Sequence, residues 1–440
     1  MNPQFTSVSH GLTELFTNTA DRLARETGFV QRQSKLGGNE MARTLVFGWL
    51  HQPQATLDEL AQFATGLGTP ISPQGLDQRF GPRAAVFLQR LLHEAVLQVV
   101  SADPVAVPLL QRFPGGVCLL DSTSITLPAA FAGAWRGCGV ESKRDRAGMK
   151  VQVRLNLLNG TLTGPFLHPG CASDQTTMRE LPPLSAGALH LADMGFFSLD
   201  SLQELDRREV GWLSRVQVTT RFCDASGRVW TPAAFFAQQT LDSIDVPILL
   251  GLEQRLPCRL VALRAPPAVV AKRRRHLRRE LRRRGKVHPD RWLLAEWTFY
   301  VTNIAAERLS VSEAWVLARC RWQIELLFKL WKSEGRVDES RSDKPWRILC
   351  EVLAKLLGMV VQHWVLLAGG CWSHANRSLV KASRTVRRNM WPLALVLPQR
   401  QLVHGILLSL RRWLATGCRV QRRHRGPPTH QLLLDLAKAG

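Results

Sequence analysis

The segment VCLLDSTSITL (117–127) decides how this chain is read. Four apolar residues, Val117 to Leu120, run straight into Asp121 and a polar tail. A short continuous apolar run of this kind marks a strand buried on both faces, in a sheet with helices packed on it. A second such run, ALHLADMGFF (188–197), ends on Asp193 after Leu189-His190-Leu191-Ala192. An ionised carboxylate at the end of a buried strand is costly unless it is paired or bound to metal. Two carboxylates on adjacent strands repel, and a hard divalent cation resolves that repulsion. Mg²⁺ suits such oxygen ligands because water and phosphate complete its shell.

Working outward, KVQVRLNLLNG (150–160) and TGPFLHPG (163–170) read as strands, with Asn159-Gly160 a hairpin turn signal. Helices are predicted around 176–186 and 199–209, and a further strand at 210–218. Strands with helices between them indicate an α/β sheet. Residues 219–305 read as an inserted region rich in β and loop, with a basic helix, AKRRRHLRRELRRRGK (271–286), and a strand, WTFYVTN (297–303). Helices follow over 311–334 and 346–368. Residues 1–110 read as mostly helical. Within them TLDELAQFATGLGTPISPQGLDQRF (56–80) has the pattern helix, turn, helix, with Thr56 as one cap and Ser72-Pro73 starting the second helix. Gln74, Gln78 and Arg79 would face outward and reach base edges in a major groove. An ordinary helical hairpin accounts for the pattern equally well.

A third carboxylate stands out in ARCRWQIELLFKLWKS (318–333). On a helix at about 100° per residue, Arg321, Glu325 and Lys332 fall on one narrow face. Apolar residues spread over the rest, which predicts a helix buried on most sides. Such a stripe on an otherwise apolar helix points to a site more than a solvated charge run does; an intrahelical Arg–Glu ion pair is the alternative.

The charge is concentrated. The 440 residues hold 58 Lys and Arg, of which 47 are Arg, against 35 Asp and Glu, a net +23. Such a balance points to a polyanionic partner, and Arg forks phosphate oxygens bidentately. Residues 271–289 carry a net +9 and residues 376–440 a net +12, so the remaining chain is almost neutral. Solvated basic faces are the alternative to phosphate contact. The nine Cys are scattered singly, which speaks against structural zinc and for reduced thiols in a cytoplasmic protein. Leu356 to Asn376 contains no Asp, Glu, Lys or Arg, but Gln362, His363, Gly369 and Gly370 favour a buried core helix over a membrane span. No phosphate-binding glycine loop of the G-x-x-x-x-G-K-[ST] type occurs, which argues against NTP-driven chemistry.

DSTSITLP (121–128), ADMGFF (192–197) and RWQIELLFKLWK (321–332), taken in order, resemble bacterial insertion-sequence transposases of the DDE class. The resemblance is to the cut-and-paste group whose third motif is Y-(2)-R-(3)-E-(6)-K. TGFVQR (27–32) and PWRILCEVLAKLLGMVVQHW (345–364) also look like that group. One departure is plain: the Tyr position holds Ala318, and the single Tyr of the chain, Tyr300, lies outside the motif.

The resemblance implies an α/β fold with a ribonuclease-H-like core at 113–218 and 306–375. A β-rich insertion at 219–305 would interrupt it, and helical regions at 1–112 and 376–440 would flank it, the first binding DNA. It implies that Asp121, Asp193 and Glu325 are catalytic and hold two Mg²⁺ ions about 3.5–4 Å apart, with Mn²⁺ able to substitute. Arg321 and Lys332 would grip phosphate. A Trp in the insertion would stack on a flipped base, with Trp297 the first candidate and Trp292 the second; strand packing explains Trp297 as readily. Arg273, Arg274, Arg278 and Arg282 would contact DNA phosphates. The implied partners are double-stranded DNA, as element ends and target, and a second copy of the chain in the synaptic complex. A DNA-binding protein without activity and a nuclease that never joins ends share the same residues.

Overall fold

The computed structural model describes residues 3–32, 36–138, 146–372, 377–419, 432, 433 and 435. Most of the basic tail beyond 419 therefore lies outside the described residues. The fold is mixed α/β. Its strands are β1 (Val117–Leu127), β2 (Ala147–Asn156), β3 (Leu162–Pro169), β4 (Leu189–Ala192), β5 (Gly211–Ser214), β6 (Phe222–Cys223), β7 (Val229–Trp230), β8 (Ser243–Leu250), β9 (Leu256–Arg264) and β10 (Trp297–Thr302). The chain forms two compact units: Met1–Ala106, Asp121–Ala172 and Gln323–Gly426 make one; Val107–Leu120, Ser173–Trp322 and Pro427–Gly440 make the other.

The first unit is built on the helix Pro345–Ala368, which packs against the helices Gly38–His51 and Pro82–Leu97. Pro345 supplies a preset φ at the first turn, and every residue from Leu349 to Ala368 is buried. This is the apolar stretch that length and composition alone would allow to cross a membrane. Its polar side chains each meet a protein partner, as core polar groups must. Lys355 pairs with Glu351 at 2.7 Å, Gln362 accepts from Ser383 at 2.9 Å, and His363 meets the Gly160 carbonyl at 2.7 Å. Burial pushes the His363 imidazole below its usual pKa, so it stays neutral there.

β2 and β3 pair antiparallel in this unit. Their connection occupies residues 157–161 and contains the Asn159-Gly160 turn signal. Asn156 N–H donates to the Thr161 carbonyl, and Gly160 takes φ +73°, a conformation that disfavours a side chain. A Cβ there would also strike Leu367 and Trp372.

The predicted N-terminal caps form: Thr56 and Glu59 make a reciprocal capping box, and the Ser72 hydroxyl accepts from Gly75 N–H. The second helix is only Pro73–Asp77, a single turn. Gln74 and Gln78 are exposed and Arg79 is half-buried. The helix ends at Asp77, ahead of the Gly81-Pro82 break, so it is shorter than the recognition helix that the helix-turn-helix pattern suggests.

In the second unit β1, β4 and β5 are neighbours and parallel, and the order continues β10-β9-β8-β6-β7 with antiparallel pairing. β1 is buried from Val117 to Leu120 and β4 from Leu189 to Leu191, as central parallel strands are. β8 alternates, as a strand with one wet face does. The core of this unit gathers Trp212, Phe222, Phe236, Leu250 and Trp297. The helix Pro267–Arg284 buries only Leu277 and ends on Gly285 in the left-handed region at φ +70°, where glycine carries no steric cost.

Candidate active site

Two of the three predicted carboxylates are aligned by strand register. In the second unit β1 and β4 pair in parallel from Val117↔Leu189 to Leu120↔Ala192. Asp121 and Asp193 are the next residue on each strand. The carboxyl ends of parallel strands are where open α/β sheets bind ligands. Asp193 begins the turn Met194–Phe196, and its own carbonyl accepts from Phe196 N–H at 3.0 Å. Asp121 is half-buried and accepts from its neighbouring Ser122 N–H at 2.8 Å. Asp193 is exposed, because the chain emerges from the sheet where β4 ends, whereas β1 continues past Asp121 to Leu127, so Asp121 is not at the end of its strand as expected.

Glu325 lies on the helix Trp322–Ser333. The single helix predicted over 311–334 is two, Val311–Cys320 and Trp322–Ser333, with Arg321 as the linking residue. The polar face within the second helix therefore holds Glu325 and Lys332, two turns apart, without Arg321. This helix is also less buried than its composition suggests. Ile324, Leu327, Phe328, Leu330 and Trp331 are buried, whereas Trp322 is 54% and Leu326 39% exposed. Half-buried Glu325 shares that wetter side.

Lys332 is placed firmly within the first unit. Its Nζ donates to the Ser124 carbonyl at 3.1 Å and lies 3.7 Å from the Asp338 carboxylate. Ser124 follows Asp121 by three residues on β1, so the end of the Glu325 helix is tied to the strand that carries Asp121. Just beyond, Glu334 is held by Arg384 at 2.6 Å and Arg387 at 3.4 Å, and the Arg384 hydrogen bond lowers its pKa. Part of the basic C-terminal segment is thus spent on an internal carboxylate. Among the described residues no group of three or more His, Cys, Asp or Glu stands close enough to hold a metal ion.

The insertion's candidates separate. Trp297 is 3% exposed, stacks on Phe236 at 4.8 Å, and has the Arg264 guanidinium 4.6 Å from its ring centroid. With its faces so occupied it is a core residue and offers a base no platform, which corrects the stacking expectation. Trp292, on the short helix Asp290–Leu294, is half-buried. Arg273 donates to the Ala295 and Trp297 carbonyls at 3.1 and 2.8 Å and to the Thr298 hydroxyl. Burial lowers its pKa. It fastens its helix to β10, so the expectation of a phosphate contact fails for this residue. Arg274 pairs with Glu296 at 2.6 Å. Arg278 and Arg282 are exposed, as expected. A groove of about 560 Å³, lined by Arg264, Arg274, Arg275, Arg278 and Glu296, opens along this helix. Arg275 was not singled out from the sequence; only its place in the arginine run marked it.

Trp297→Ala is expected to destabilise the second unit by about 3–5 kcal/mol, as removal of a buried aromatic does. Urea unfolding followed by fluorescence checks this, and an unchanged midpoint would show that Trp297 is not a core residue.

Asp121 thus lies within β1 just past its pairing with β4, Asp193 directly follows β4, and Glu325 lies on the later helix Trp322–Ser333. The description of the transposase DDE domain matches residues 112–360, more than half of the chain. The chain therefore belongs to the DDE transposase family, whose members cut and join DNA. It is 28% identical over 364 residues to the transposase of insertion sequence element IS231F from Bacillus thuringiensis subsp. israelensis, covering 77% of this chain and 75% of that one. It is 22% identical over 390 residues to the transposase of IS1151 from Clostridium perfringens, covering 83% and 82%. A piggyBac transposase synaptic complex with hairpin DNA aligns at a TM-score of 0.48 and 10% identity over 95% of this chain and 86% of that one.

Proposed function

We propose that this transposase cuts DNA at the terminal inverted repeats of a mobile element and joins the freed 3′ ends to target DNA, in a cut-and-paste reaction that passes through a hairpin. The observation that carries the reading is the parallel register of β1 and β4, whose paired residues are followed by Asp121, still within β1, and by Asp193, just past β4. The core is read as ribonuclease-H-like at 113–218 and 306–375, with the insertion at 219–305 and helical regions at 1–112 and 376–440.

Asp121, Asp193 and Glu325 would hold the divalent cations, Mg²⁺ with Mn²⁺ able to substitute. The three do not form one cluster among the described residues; what fits is their chemistry, since carboxylate oxygens are hard ligands and Mg²⁺ is commonly held by one or two carboxylates while substrate phosphate and water fill its shell. When bound, two such ions supply activation of the nucleophile and stabilisation of the leaving oxygen. The chain's own residues bind and orient. Lys332, held at the Ser124 carbonyl, and Arg321, at the head of the Glu325 helix, would grip phosphate of the non-transferred strand. Ala318 at the Tyr position removes one group from that grip, so altered hairpin handling is expected in place of lost metal binding. The chain would act as a homodimer that pairs two element ends, in the cytoplasm at the nucleoid.

The test is a plasmid carrying the inverted repeats that flank the reading frame. Mg²⁺-dependent nicking at those ends, and transfer of a pre-cut 3′-hydroxyl end, are expected. Nicking without transfer would leave a nuclease; neither activity would leave a DNA-binding protein.

The insertion supplies a second measurement. Neutralising Arg275, Arg278 and Arg282 to Gln is expected to reduce the slope of log affinity against log salt, by up to about one for each phosphate that is no longer neutralised. An unchanged slope would remove this helix from the DNA interface. Arg273→Gln should act differently, lowering thermal stability because its carbonyl partners lose their donor.

A further inference from the structure

The loop after the Glu325 helix is built around a buried ammonium. Lys355, 2% exposed in its side chain, donates to the carbonyls of Arg336 at 3.0 Å and Glu339 at 2.8 Å, and pairs with Glu351 at 2.7 Å. Glu351 also accepts from the Ser340 hydroxyl at 2.6 Å. Arg336 sits in the left-handed region at φ +50°, which turns the chain sharply at the start of the loop. Residues 336–340 are thus fixed from below by bonds that do not use the Asp338 side chain. The loop presents that carboxylate outward, 3.7 Å from Lys332, with both side chains about one third exposed (32% and 34%). Charges alternate from Lys332 through Asp338 to Lys355 and Glu351.

We propose that Asp338 is a built-in counterion of Lys332: it holds the ammonium beside the Ser124 carbonyl in the absence of DNA and is displaced when a DNA phosphate arrives. The proposal rests on the reading of Lys332 as a phosphate-binding residue. Its physical basis is competition. A half-exposed ion pair is weak, so it orders the side chain at small cost and yields to a phosphate that carries a full charge and several acceptor oxygens. Asp338 is therefore a positioning residue that acts through Lys332. Glu339, one residue on, provides the contrast: its carboxylate is engaged by Arg336 at 2.7 and 2.8 Å and points to a different partner.

The experiment is a double-mutant cycle on the full chain. The probe is a blunt duplex of mixed sequence with 5′-phosphates, followed by fluorescence anisotropy at low salt. Asp338→Asn is expected to bind about two- to five-fold tighter than wild type, the range of an exposed ion pair released. Glu339→Gln, which removes the same charge from the same loop, is expected to gain less. In a Lys332→Ala background Asp338→Asn should gain no more than Glu339→Gln. An equal gain with and without Lys332 would overturn the proposal, because it would show only general loss of negative charge. Weaker binding by Asp338→Asn would also overturn it. If Lys332→Ala alone leaves both binding and end cleavage unchanged, the phosphate reading of Lys332 falls, and the counterion falls with it. Circular dichroism melting of Asp338→Asn should match wild type, since the anchors of the loop are backbone carbonyls and Ser340.

Discussion

Asp121→Asn, Asp193→Asn and Glu325→Gln will each lower Mg²⁺-dependent end cleavage by about a hundred- to a thousand-fold or more, while DNA affinity stays within about three-fold. Each change keeps the shape of the side chain and removes its charge. Asp193 is exposed and Asp121 and Glu325 are half-buried, so none is a large contributor to the core and the melting temperature should hold. The expected loss therefore reports on chemistry. Gel analysis of nicked product against time is the measurement, with anisotropy and melting as controls. Cleavage within about ten-fold of wild type in any one variant would take that residue out of the metal-binding set.

The second large effect is on folding. Lys355→Met leaves Glu351 buried without its ammonium and takes the donor from two carbonyls of the 336–340 loop. Breaking one side of a buried pair costs about 3–5 kcal/mol, because the remaining charge is desolvated without compensation. Burial lowers the pKa of Lys355, and the adjacent Glu351 works against that shift. The double change Lys355→Met with Glu351→Leu removes both charges and should recover much of the urea midpoint. It does not restore the donor to Arg336 and Glu339, so the loop stays loose and DNA-end cleavage should remain below wild type. A double variant no more stable than Lys355→Met would show that the hydrogen bonds to the loop, and not the stranded charge, dominate the cost.

What the sequence disclosed follows physical lines. The apolar runs before Asp121 and Asp193 were legible because they are too short for a core helix and suit strands covered on both faces. The Pro345–Ala368 helix was legible as core because Gln362 and His363 would each need a partner in lipid, and inside the protein they find Ser383 and Gly160. Caps at Thr56 and Ser72 were local and came out as read. The length of the helix after Ser72 was not local, since tertiary packing offered only Leu76 a buried place. Trp297 and Arg273 were misread for one reason. Composition identifies a ring that can stack and a cation that can grip, but not whether Phe236 or a backbone carbonyl has reached it first. Arg321 was read into the Glu325 helix but stands at the junction, between the helix that ends at Cys320 and the one that begins at Trp322, and the Asp338 loop depends on bonds from the next helix that no spacing announces.

The arginine run at 273–284 has one further consequence. Most of its members face water, but Arg273 forks onto two carbonyls and a hydroxyl of β10. Lysine, a point charge with no fork, does not reproduce that arrangement. Mutational drift should therefore treat neighbouring codons of one basic stretch unequally. Positions 279 and 283 should exchange freely between Arg and Lys, or lose charge one at a time, while position 273 stays arginine even in descendants that no longer move.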